Sequence, residues 1–132
     1  MLNERNFRLG LAAILLPILA ATATPALAQA GDATKGKAVF MRCGICHSVD
    51  PGVKKMGPSL SGLFGRKAGS TDFAYSPAMK AAKITWNAKT LDTYITKPAA
   101  VVPGTKMMFA GVSNPADRAN LIAYLAEATK AK

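Results

Sequence analysis

The chain has 132 residues, half of them hydrophobic, and carries 17 Lys and Arg against 7 Asp and Glu, a formal charge of +10. That length allows one small domain behind any leader and no more. The basic residues are dispersed and none falls in a nucleic-acid motif, so the charge argues against nucleic acid and for acidic protein surfaces as partners.

The first thirty residues have the layout of an export signal. Arg5 and Arg8 outweigh Glu4, an apolar run follows from Leu9 to Ala20, and Ala26-Leu27-Ala28 offers the small residues of a cleavage site, with a second cut after Ala28-Gln29-Ala30. An uncleaved anchor is the competing reading. The unbroken run falls short of the roughly 20 residues a span needs, and Pro17 and Pro25 interrupt its extension. The expected division is a signal peptide over 1–28 and one domain over 29–132, periplasmic and without stable membrane insertion after cleavage. Removing 28 of 132 residues leaves 104; Arg5, Arg8 and Glu4 depart with them, leaving 15 basic against 6 acidic residues, or +9.

Asp32 is placed to cap a helix that starts at Ala33, with Gly36, Phe40 and Cys43 at i, i+4 and i+7 on one face. A glycine inside a helix costs about 1 kcal/mol relative to alanine, so a close approach by another element is expected at Gly36. This helix runs into Cys43-Gly44-Ile45-Cys46-His47, two thiols three positions apart followed at once by an imidazole. That is the spacing of covalent haem c attachment: both sulfurs add to the vinyl groups of one porphyrin, and the histidine lies beneath the ring as a ligand to iron. A redox-active dithiol usually follows a strand, and none is signalled before Cys43. A structural zinc site needs four ligands, and two Cys with one His leave it short. A plain disulfide gives His47 no role.

From Ser48 to Ser70 the chain is rich in Gly and Pro, without the period of 2 that marks strands, and reads as loop. A short helical turn is predicted from Pro77 to Lys83. Asn87 caps the next helix, whose face is Leu91, Tyr94 and Ile95, and Pro98 both stops it and opens a turn to Val102. Pro103 and Gly104 then start a loop that lasts through Gly111. Asn114, with Pro115 at the first helical position and Asp117 at the third, opens the last helix, which carries Leu121, Ile122, Leu125 and Ala128. The first and last helices should cross at Gly36. The fold class is all-α, with long loops wrapped over a cofactor that supplies much of the missing core.

His47 is the only histidine, so a second axial ligand from this chain must be another type. Met41 stands too close to Cys43 to reach the other face of the ring. Met107 and Met108 lie in the Pro-Gly loop, and spacing alone does not choose between them.

Residues 31–130 resemble mitochondrial cytochrome c and its short soluble bacterial relatives, the class I c-type cytochromes. Besides CGICH, the resemblance rests on Gly57-Pro58, Gly62-Leu63-Phe64-Gly65-Arg66-Lys67, Ile84-Thr85-Trp86, the stretch from Pro103 to Gly111, and Leu121-Ile122-Ala123-Tyr124-Leu125. It implies a small cytochrome c fold with crossing terminal helices and one haem c held through Cys43 and Cys46. It also implies His47 and Met107 as iron ligands, with Met108 beside them as an apolar neighbour. The Pro58 carbonyl would accept from the far nitrogen of His47. Tyr75 and Trp86 would donate to the inner propionate with Arg66 close by, Tyr94 and Thr105 would stand near the methionine side, and Phe109 would cover the haem edge.

Two departures stand out. Met79 occupies a position where the family commonly has an asparagine, and Ala99, Ala100 and Ser113 to Pro115 replace usual lysines. Arg42, Lys54, Lys55 and Lys106 remain as candidates for docking.

A six-coordinate iron has no open position for substrate, so the expected function is soluble one-electron transfer, not enzyme catalysis. A monomer is expected, docking on acidic faces of a quinol:cytochrome c reductase and of a terminal oxidase or photosynthetic reaction centre. The alternative is a small haem peroxidase or ligand-binding haem protein with a labile Met, which lacks a distal histidine here.

Overall fold

Asp32 accepts from the backbone N–H groups of Thr34 and Lys35 at 2.8 and 3.1 Å and so starts α1, Ala33–Gly44. The structure, a computed structural model, describes residues 30–131; the expected signal peptide over 1–28 and its cut after Ala28 lie outside the described residues. Lys55 Nζ donates to the Gly44 carbonyl at 2.7 Å, which satisfies one of the acceptors left over where α1 ends.

Four more helices follow: α2, Pro77–Ala81; α3, Ala88–Thr96; α4, Pro98–Val101; and α5, Pro115–Ala128. Ser76 caps α2 through the Met79 N–H. Asn87 and Thr90 form a reciprocal capping box at α3, and Asn114 accepts from Ala116 and Asp117 at the start of α5. The turn predicted to reach Lys83 ends at Ala81, where the backbone of Ala82 becomes extended.

α1 and α5 lie against each other, and α3 packs on α5. A Cβ at Gly36 would overlap the Asn120 carbonyl and come within 2.8 Å of Tyr124 Cβ, so the two backbones approach as closely as a bare glycine allows. Beside that point the Phe40 and Tyr124 rings meet with centroids 5.2 Å apart, and Asn120 Oδ1 accepts from the Asp32 N–H at 2.8 Å.

The loop between α1 and α2 is held by specific backbone bonds. Gly57 N–H donates to the Cys46 carbonyl, and Leu60 N–H to that of Ser48. The Gly62 N–H donates to Thr129 at the end of α5. Lys67 and Thr85 form one isolated antiparallel bridge, and no strand is present among the described residues. The core, formed by Leu63, Trp86, Leu91, Ile95, Val102, Val112, Leu121 and Leu125, surrounds a large cavity instead of closing on itself. No helix among the described residues is long and apolar enough to cross a membrane.

Candidate functional site

The cavity measures about 580 Å³ and is lined mostly by apolar side chains, among them Phe40, Leu60, Leu63, Met79, Leu91, Ile95, Leu121 and Leu125. An empty apolar space of that size would forfeit the contacts of every side chain around it. Its volume and lining suit a large apolar group. Cys43, Cys46 and His47 all reach its wall, and so do Met107, Thr105 and Phe109 from the loop after α4.

α1 delivers the two thiols. Both are free and half-buried, and burial holds the Cys43 thiol above its ordinary value while neighbouring Arg42 pulls the other way. The chain turns after Gly44, and the His47 N–H closes that turn on the Cys43 carbonyl at 2.9 Å. His47 Nδ1 then donates to the Pro58 carbonyl at 2.8 Å. This bond puts the proton on Nδ1 and leaves Nε2 with a free lone pair. Gly57 makes room for the ring, since a Cβ there would lie 2.8 Å from Nδ1. Burial lowers the His47 pKa; the Pro58 bond opposes that, and the charges of Arg66 and Lys55 add to it. The imidazole is therefore neutral at physiological pH, the form that binds a metal.

Met107 is half-buried, and its sulfur accepts from the Tyr94 hydroxyl at 3.3 Å. Thr105 Oγ1 accepts from the Met107 N–H at 3.2 Å and fixes the backbone of this residue. Burial raises the Tyr94 pKa, with the Thr105 hydroxyl acting in the opposite sense. Met108, next along the chain, points outward and is 96% exposed. Of the two methionines between which spacing does not choose, Met107 is the one that turns inward.

Arg66, Tyr75 and Trp86 form the polar part of the wall. Arg66 Nη1 donates to the Ser61 carbonyl at 2.6 Å and Nη2 to that of Ser59 at 3.1 Å. Burial lowers its pKa and the Tyr75 side chain beside it opposes the shift. Tyr75 and Thr71 share a short hydroxyl contact. The Trp86 ring is buried against Tyr94, with centroids 5.0 Å apart. A carboxylate entering here would meet an indole donor and a guanidinium charge, as a haem propionate requires. The donor set and the apolar cavity fit a covalently attached haem.

Sequence reasoning singled out the polar and sulfur residues of this wall. It passed over Thr71, Ser59, Ser61 and Ser76, because small hydroxyl residues in a loop carry no spacing signal. It also assigned Lys54 and Lys55 to docking, whereas Lys54 pairs with Asp72 at 2.9 Å and Lys55 is turned back onto α1. Met79 is buried, consistent with its apolar type; its backbone N–H donates to Ser76 Oγ at 3.0 Å and its carbonyl accepts from the Ala82 N–H.

Comparison with known proteins shows the family. The sequence pattern of the Cytochrome c family matches residues 33–129. Cytochrome c2 of Rhodomicrobium vannielii is 54% identical over 99 residues, which is 74% of this chain and 79% of that protein. Cytochrome c2 of Blastochloris viridis is 50% identical over 110 residues, covering 82% and 85%. Cytochrome c of Theileria annulata is 50% identical over 101 residues, covering 75% and 88%. The chain therefore belongs to the cytochrome c family, as a class I c-type cytochrome related to the bacterial cytochromes c2.

Proposed function

We propose that this cytochrome is a periplasmic one-electron carrier, exported by residues 1–28 and loaded with one haem c through thioethers at Cys43 and Cys46. His47 Nε2 and Met107 Sδ would be the iron ligands. The observation that carries this reading is the pair of bonds behind them, from Nδ1 to the Pro58 carbonyl and from the Tyr94 hydroxyl to the Met107 sulfur. Each holds a donor atom in one orientation. The haem supplies a one-electron iron couple, and a His/Met pair favours a high reduction potential.

What the chain contributes is positioning and exclusion of water. Arg66, Tyr75 and Trp86 would hold one propionate, and Leu63, Leu91, Leu121 and Leu125 keep the site dry. Thr105 fixes the backbone of Met107, and Phe109 closes the wall beside it. The bonds behind His47 and Met107 would hold both donor atoms in place, which would limit reorganisation when an electron is transferred. The physiological partners would be acidic docking faces on a quinol:cytochrome c reductase and on a terminal oxidase or photosynthetic reaction centre, reached by a monomer.

Absorption spectra of the purified holoprotein test this. The oxidised protein should show the weak near-infrared band of iron bonded to methionine sulfur, lost in Met107→Ala and retained in Met108→Ala. A high-spin spectrum without that band would replace the carrier with the peroxidase or ligand-binding alternative.

A further inference from the structure

The mouth of the cavity is unusually apolar for so basic a chain. Ile45, Met56 and Met108 line the cavity, yet they are 71, 75 and 96% exposed, so they form its outer rim. Arg42 and Lys106 line it too and have no ion-pair partner among the described residues. With Lys54 and Lys55 in other contacts, this rim combines exposed apolar side chains with the positive charges of Arg42 and Lys106. Its charge complement is a redox protein presenting an apolar patch flanked by carboxylates.

Two of the three apolar rim residues are thioethers, and thioethers are the side chains whose polarity oxidation can reverse. Their exposure contrasts with the inward methionines. Met79 is buried, and the Met107 sulfur is half-buried with the Tyr94 hydroxyl on it. We propose that Met56 and Met108 are modification sites, oxidised by peroxide to sulfoxides that weaken docking while the iron ligand is spared. In that step the peroxide O–O bond breaks and one oxygen forms an S–O bond. Sulfur loses two electrons, and the peroxide is reduced to water. A sulfoxide oxygen placed in an apolar contact must be desolvated without a partner, which opposes association. A methionine sulfoxide reductase would reverse it. This inference rests on the carrier reading and adds an oxidant-dependent control on partner contact.

The holoprotein is treated with hydrogen peroxide, mapped by peptide mass spectrometry, and its reduction by purified quinol:cytochrome c reductase is followed by stopped flow. Met56 and Met108 should gain one oxygen well before Met79 and Met107, and the second-order rate should fall by about fivefold. Met41 serves as an internal control, being 74% exposed but outside the cavity rim. The double variant Met56→Leu with Met108→Leu should keep its rate after treatment although Met41 is oxidised. Equal oxidation of Met107 and Met108, or an equal loss of rate in the double variant, would overturn the proposal. If the untreated holoprotein is not reduced by the reductase, the carrier reading itself falls and the effect on docking falls with it.

Discussion

Replacing Gly36 with alanine should destabilise the holoprotein by about 2 kcal/mol, because there is no room for a methyl group where α1 meets α5. The added Cβ would overlap the Asn120 carbonyl and lie 2.8 Å from Tyr124 Cβ, where ordinary contact begins at 3.4 Å, so α5 must retreat by more than the 0.6 Å that Tyr124 alone would require. A gap opened by that amount forfeits roughly a quarter to a half of the dispersion energy of each contact. It also loosens the Phe40–Tyr124 ring pair, worth about 1 kcal/mol. Overpacking costs about 1–3 kcal/mol, and alanine's better helix propensity returns about 1 kcal/mol. In a domain of this size the net loss lowers Tm by roughly 10 °C, measurable by far-UV circular dichroism of the variant and parent side by side. A Tm within about 2 °C of the parent would refute the reasoning, for it would mean that the helices separate at no cost.

Tyr94→Phe removes the donor to the Met107 sulfur, and the midpoint potential should fall by up to about 40 mV, the equivalent of roughly 1 kcal/mol for one electron; an unchanged or raised potential by redox titration would count against a role for that bond. The same phenol gives an alkaline limit: its native pKa lies above the ordinary 10.0, so its contribution to stability is complete below that value and is lost as pH rises through the native pKa. The near-infrared band should disappear over that range in the parent, and Tyr94→Phe should lack this component. Met79→Asn places an amide in an apolar pocket and should cost about 1–3 kcal/mol with a shifted midpoint potential; unchanged potential and ligand stability would show that residue 79 does not tune the haem. Changing both Cys43 and Cys46 to alanine should leave the cavity without its occupant, with loss of near-UV dichroism and of a cooperative unfolding transition.

Helix starts were legible because their chemistry is local. Asp32, Asn87 and Asn114 each cap the helix they announce, since a side-chain oxygen two or three residues ahead of an amide has few other uses. The crossing at Gly36 was legible for the opposite reason, as a glycine that local propensity disfavours. The site divides in the same way. The CGICH run states its chemistry in five residues, and the bond from His47 to Pro58 spans only eleven positions. Contacts set by tertiary packing left no trace in spacing: Arg118 pairs with Asp92 at 2.7 Å across 26 positions, and Lys55 donates to the Gly44 carbonyl at the end of α1. The early stop of α2 is similar. Ala81 to Lys83 would serve a helix well, and the chain leaves it because Ile84 and Trp86 must run beside Arg66 and Ala68 to form the bridge.

The bond between Asp32 and Asn120 joins positions 88 apart, so all of the cavity wall except Leu121 and Leu125 is enclosed in one loop tied at its base. Closing a loop of that length costs about 4 kcal/mol of chain entropy, which the α1–α5 contact must recover whenever the protein folds. The two helices hold the segments on either side of the loop close together. A permuted chain with α5 linked directly to α1, reopened at Gly52 where the backbone has φ 71° and nothing crowds it, would carry that closure in its covalent structure. Its cavity wall would be unchanged, and its terminal helices would become a hairpin formed early by local contacts.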